Sequence, residues 1–151
     1  KESRILHDAG NYAEKMGVIV ISAVGNDYHN APERVFYPAA YETVVGVGSV
    51  NKDGEASAFS QRNFSVMVTA QGEDLELFPS EVEDKVTTIN GTSYAAAYVT
   101  AFAGLMLSAC PGMTPEEFRS ILRISSKDLG DSGYDTTYGW GLVDISTILQ
   151  N

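Results

Sequence analysis

Asn90-Gly91-Thr92-Ser93-Tyr94-Ala95-Ala96-Ala97-Tyr98-Val99 places one hydroxyl at the mouth of a long uncharged helix. Gly91 permits a tight backbone turn, and Thr92 and Ser93 are expected to cap the free N–H groups of the first helical turn. Ser93 then stands where the positive end of the helix dipole favours an oxyanion. A serine at a helix start is ordinarily only a cap. The small-residue helix behind it makes this one a candidate nucleophile.

Working outward, Val18-Ile19-Val20-Ile21-Ser22-Ala23-Val24-Gly25-Asn26 reads as a buried strand that ends in Gly-Asn. Before it, Ile5, Leu6, Ala9, Tyr12, Ala13 and Met16 recur at helical spacing and Gly17 closes the helix. Apolar runs at 44–50 and 64–70 give two further strands, the first ended by the turn Asn51-Lys52-Asp53-Gly54. Such continuous apolar runs fit a parallel sheet covered on both faces, and Gly46 and Gly48 are expected to let a helix approach it closely. Residues 71–85, rich in Asp and Glu, read as a solvated surface loop. Thr114-Pro115-Glu116-Glu117 is a helix start with cap, proline and N3 glutamate in place, and Phe118, Ile121 and Leu122 give that helix a buried face. Residues 143–149 are expected to form a short terminal helix.

Amide hydrolysis by serine needs a hydroxyl, a base for its proton and donors aimed at the oxyanion. The chain offers the first and the third. Ser93 would attack the carbonyl, and its own N–H together with the Asn26 side-chain amide would hold the oxyanion. Both residues fall at strand ends, where open α/β sheets place their ligands. Asn26 has an ordinary reading as a turn residue.

These segments resemble the subtilisin-like serine peptidases, or subtilases, whose nucleophile motif reads Gly-Thr-Ser-Met-Ala-(Ala/Ser)-Pro-His-Val. Val24-Gly25-Asn26 resembles the family's oxyanion segment. Tyr37-Pro38-Ala39-Ala40-Tyr41 leading into Val44-Val45-Gly46-Val47-Gly48, and Tyr138-Gly139-Trp140-Gly141-Leu142-Val143-Asp144, match two more motifs in family order. The resemblance implies an α/β fold, part of a doubly wound, mostly parallel sheet with helices on both faces. It implies that residues 1–151 are the carboxyl-terminal part of a single catalytic domain. It places Ala23, Val24 and Gly25 on one wall of a specificity pocket, with Phe36 and Tyr37 at its floor. No cofactor is required on this reading; a structural calcium ion on the backbone of Ala39, Tyr41 and Val44 is the metal it allows.

Subtilases carry their triad in the order Asp, His, Ser, and nothing upstream of Ser93 supplies the first two. The family's His lies before Gly-Thr, whereas His7 precedes Asp8 and His29 precedes Asn30. Asp131-Ser132-Gly133 spells the family's aspartate motif but follows the nucleophile and reads as a turn. Ala97 and Tyr98 stand where the family has Pro and His. The expectation is a peptidase part that is inert alone and takes Asp and His from an amino-terminal half of the same domain, or that associates into an oligomer. The alternative is a pseudopeptidase kept as a protein-binding module. An α/β-hydrolase is excluded, because Ala95 replaces the second glycine of a nucleophile elbow and no His follows Ser93.

Composition bounds the partners. The 151 residues hold 44% hydrophobic side chains and carry a net charge of −10, which suits a packed globule and disfavours nucleic acid and anionic membrane surfaces. Peptide or protein is the expected substrate. Residues 86–115 contain no charged residue, yet the helical part is shorter than the ~20 apolar residues of a membrane span. Cys110 is the only cysteine, so no intrachain disulfide forms. The chain opens on Lys1 without a leader, which suggests a fragment or processed product; secreted or cell-surface bacterial origin is implied by the resemblance alone.

Overall fold

The computed structural model describes residues 1–77 and 86–147. Three parallel strands form the sheet in the order β1 (Val20–Ala23), β2 (Val44–Val50), β3 (Val68–Gln71). Val20 pairs with Val44 and Val47 with Val68. All seven residues of β2 are buried, as its unbroken apolar run requires. β1 is only half-buried, and among the described residues no strand pairs with its other edge.

α1 (Arg4–Lys15) precedes β1, and α2 (Thr92–Ala109) packs across all three strands. Val45 and Val47 of β2 and Val68 and Ala70 of β3 join Ala95, Val99, Phe102 and Ala103 of α2 in the core. α3 (Pro115–Ser125) adds Phe118 and Leu122 to the same core. Its capping box is present as the sequence indicates: Thr114 and Glu117 exchange side-chain and backbone hydrogen bonds. Arg119 of α3 grips both carboxylate oxygens of Glu14 on α1 and also holds Glu116, which ties the two helices together.

Several expectations are corrected. Gly46 and Gly48 meet no helix, since they face the opposite side of the sheet. A Cβ on Gly46 would fall 1.8 Å from the Ser65 carbonyl oxygen, and one on Gly48 would crowd Thr69, Val66 and Ser60. The returning chain lies on that side, and its Ser60 Oγ accepts the Ser49 N–H at 3.0 Å. The third strand starts at Val68 rather than at residue 64, because Phe64 turns outward and is 62% exposed. The acidic stretch is not all loop: β4 (Leu75–Leu77) pairs antiparallel with β5 (Thr87–Ile89). Residues 78–85 of that expected loop lie outside the described residues. The terminal helix is a single 3-10 turn at Ile145–Thr147, and residues 148 and 149 lie outside the description.

The periodic face of α1 forms a helix as expected but buries nothing: Ile5, Tyr12 and Met16 are 84%, 67% and 62% exposed. The outer edge of β3 is covered instead, where Thr69 N–H donates to Gly141 O (2.8 Å) and Val143 N–H to Thr69 O (2.9 Å). Gly139 and Gly141 allow that approach, with positive φ and Cβ positions about to strike the Met67 and Lys127 carbonyls at 2.2 and 2.1 Å. Gly46→Ala should therefore cost about 1–3 kcal/mol or more through overpacking. Urea unfolding checks this, and an unchanged midpoint would contradict the close approach.

Candidate active site

β1 ends at Ala23 and the chain continues through Val24 and Gly25 to Asn26. β5 ends at Ile89 and continues through Asn90 and Gly91 into α2. The two segments meet. Gly91 N–H donates to Gly72 O at 2.7 Å, and a Cβ on Gly72 would lie 2.6 Å from Gly91 O, so the exit of β3 and the entry to α2 cross at two glycines. Asp74 N–H donates to the Asn90 side chain at 2.6 Å and holds the hairpin against this crossing.

The helix start differs from the expected self-capping. Gly91 is the N-cap and offers no side chain. Asn26 supplies the missing acceptor from 66 residues away: its Oδ1 receives Thr92 N–H at 2.9 Å and Thr92 Oγ1–H at 2.7 Å. Thr92 Oγ1 in turn accepts Gly25 N–H at 3.3 Å. The carbonyl of the Asn26 amide is thus occupied, and among the described residues Nδ2 has no acceptor. Nδ2 lies 3.4 Å from where a Cβ on Gly91 would stand, so glycine there leaves it room.

Ser93 follows Thr92 directly, is exposed, and its hydroxyl has no partner among the described residues. Its N–H is in the first helical turn, where such groups lack intrahelical acceptors. No acidic side chain occupies that turn to oppose an anion. The Asn26 amide and Ser93 therefore share one end of the sheet and one helix start. Neither histidine hydrogen-bonds Ser93: the His7 ring stacks on Tyr41 at 5.0 Å, and His29 sits exposed in the loop beyond Asn26.

The residues assigned to the pocket are placed unequally. The Phe36 ring rests on Gly25, whose φ is +110° and whose Cβ would come within 2.6 Å of the ring. Only glycine satisfies both conditions there. Val24 turns its side chain into a buried cluster with Ala39 and Val66, away from the expected pocket wall. Ala23 is half-buried at the end of β1. Tyr37 packs on Tyr41 at 4.8 Å instead of joining Phe36. Arg34 lies over the Phe36 ring at 5.1 Å and pairs with Asp27 at 3.1 Å. Hydrogen bonds from Asn30 and then Arg34 hold the Asp27 carboxyl below its ordinary range.

Ala39, Tyr41 and Val44 line a cavity of about 740 Å³ together with Arg119 and Arg123. The Tyr41 carbonyl accepts Val44 N–H at 3.0 Å, and Arg119 donates to Thr43 O at 3.4 Å. Calcium takes six to eight oxygen ligands, whereas the cations already at this rim are guanidinium groups. A guanidinium at this cavity opposes a second cation there. Among the described residues, no group of three or more His, Cys, Asp or Glu could hold a metal.

Comparison with known proteins gives a consistent result. The model of the subtilase family matches residues 2–141. The minor extracellular protease Epr of Bacillus subtilis (strain 168) is 34% identical over 142 residues, covering 94% of this chain and 21% of that protein. Subtilisin DY of Bacillus licheniformis is 31% identical over 149 residues, covering 98% and 53%. The crystal structure of fervidolysin from Fervidobacterium pennivorans, a keratinolytic enzyme related to subtilisin, superposes with a TM-score of 0.85 at 27% identity, covering 99% of this chain and 25% of that one. The chain spans about half the length of subtilisin DY and less of the other two.

Sequence reasoning had no signal for Thr92 as the partner of Asn26, because the contact joins residues remote in the chain. Thr92→Val should cost about 1–2 kcal/mol, the usual worth of a buried hydrogen bond with one partner left wanting. It should also loosen the Asn26 amide. Urea unfolding and the chemical shifts of the Asn26 NH₂ protons check both; a variant unchanged in both measurements would dissolve the clamp.

Proposed function

The chain belongs to the subtilase family and has its subtilisin-like α/β fold, and from that premise we propose that it supplies the nucleophile and oxyanion donors of a serine endopeptidase. The observation that carries this reading is the Asn26–Thr92 clamp. It fixes a side-chain amide beside an exposed serine at a helix start, and it leaves that amide only its donor side. Ser93 Oγ bonds to the scissile carbonyl carbon as its proton passes to a base. The carbonyl electron pair moves to oxygen, where Asn26 Nδ2 and Ser93 N–H receive it. The C–N bond then breaks, the leaving amine takes the proton from the base, and water releases the acyl group.

The base and the carboxylate that orients it come from outside these 151 residues. His7 is engaged with Tyr41, and His29 makes no bond to Ser93. The exposed side chains Tyr94, Tyr98 and Leu105 along α2, the apolar face of α1 and the free edge of β1 form the surface that those residues would cover. Loss of the family's Pro and His at Ala97 and Tyr98 falls on this exposed stripe and touches no reacting group. Peptide or protein is the substrate. The extracellular relatives favour action outside the cell, and no helix of the described residues is long and apolar enough to cross a membrane.

Phe36 on Gly25 shortens the pocket before the scissile bond, so small or medium apolar side chains are preferred there; best cleavage after Lys or Arg in a peptide library would contradict this. In the complete protein Asn26→Ala should lower kcat roughly 10²- to 10³-fold with KM nearly unchanged, the loss already known for removing this donor in subtilisin. An unchanged kcat removes Asn26 from the oxyanion site. A complete wild-type protein that cleaves nothing favours the pseudopeptidase reading.

A further inference from the structure

The loop that follows Asn26 is pinned by one buried residue, Gln61. The residue is 0% exposed, and its Nε2 faces three carbonyl oxygens: Ala31 at 3.1 Å, Pro32 at 3.4 Å and Arg34 at 2.6 Å. An amide nitrogen carries two hydrogens, so these acceptors more than fill it. Among the described residues Oε1 has no partner, and the nitrogen sets how the side chain lies. The main-chain N–H of Gln61 donates to Gly25 O at 3.0 Å.

Gln61 therefore holds both sides of the contact between Phe36 and Gly25. It holds Gly25 through its main chain, and through its side chain it holds Arg34, two residues before Phe36. Arg34 itself covers the Phe36 ring, and Asn63 Nδ2 also donates to Arg34 O at 3.2 Å. If the 31–34 turn lifted, the ring would lose its seat on Gly25 and the pocket would deepen.

We propose that Gln61 is a positioning residue for substrate selection: without touching substrate, it sets the depth of the pocket before the scissile bond by fixing the turn that carries Phe36. This rests on the reading of Ser93 and Asn26 as the hydrolytic pair. The main-chain bond to Gly25 survives any substitution at residue 61, so Asn26 keeps its place and the effect falls on substrate choice rather than on the chemical step.

The test uses the complete protein and peptides with Ala or Phe before the scissile bond. Gln61→Ala should shrink the preference for Ala about tenfold through KM, with kcat held within about threefold. In a Phe36→Gly background the same change should leave the preference unaltered, because the ring being positioned is gone. Gln61→Glu places a carboxylate against three carbonyls; burial raises its pKa, and the neutral acid regains one donor. The preference for Ala should be weak at high pH and return as pH falls, which a general loss of packing would not produce. This variant also carries the test if Gln61→Ala fails to fold. Amide hydrogen exchange should quicken over residues 27–36 and not over β2. Unchanged selectivity in Gln61→Ala, additivity with Phe36→Gly, or unaltered exchange over 27–36 each overturns the proposal. A wild-type protein without turnover removes the hydrolytic reading, and exchange alone then decides whether Gln61 pins the loop.

Discussion

One side-chain amide joins the end of a strand to the start of a helix. Asn26 Oδ1 accepts two hydrogen bonds from Thr92 and so supplies the N-terminal acceptor that α2 lacks at Gly91. A helix start left without acceptors is unfavourable when buried, and Thr92 is 1% exposed. The same bond that stabilises the helix occupies Oδ1 and leaves Nδ2 beside Gly91. Stability and site geometry are two consequences of one contact, and neither strand end nor helix start would hold its position without the other.

The sheet under that contact is built for close approach. Gly72 and Gly91 let β3's exit cross the entry to α2, Gly25 receives the Phe36 ring, and Gly46 receives the Ser65 carbonyl. At Gly72, Gly25 and Gly46 a methyl group would strike backbone or an aromatic ring. Gly25, Gly72 and Gly91 lie where segments converge on the Asn26–Ser93 end, and Gly139 and Gly141 lie where the chain closes the edge of β3. Among the described residues, no strand pairs with the opposite edge, at β1, near the apolar face of α1 and the uncharged α2.

Much of this was legible in the sequence wherever the determining forces are local. The capping box at Thr114 and Glu117, the stop at Gly17 and the buried run of β2 depend on neighbours a few residues away, and each lies where the pattern puts it. Helix α2 was legible because glycine, hydroxyl and small residues occur together. The cap of that helix was not, since its acceptor comes from Asn26. Composition misled at residues 71–77, where acidic side chains suit an exposed edge as well as a loop, and β4 pairs there with β5. The apolar face of α1 correctly gave a helix, but burial needs a partner that the described residues do not include. Gln61 looked like any polar residue in a turn-rich stretch; only the converging carbonyls reveal its work.

The central claim is that Ser93 is a nucleophile activated by groups from outside these residues, with its oxyanion held by Asn26. A serine-directed fluorophosphonate, followed by mass spectrometry of the labelled peptide, tests it most directly. In the complete protein the account predicts a single phosphonylated residue, Ser93, labelled far more slowly when Asn26 is alanine; the isolated 151-residue chain should stay unlabelled. Labelling at another serine, or equal labelling of Ser93 in the isolated chain, would contradict it.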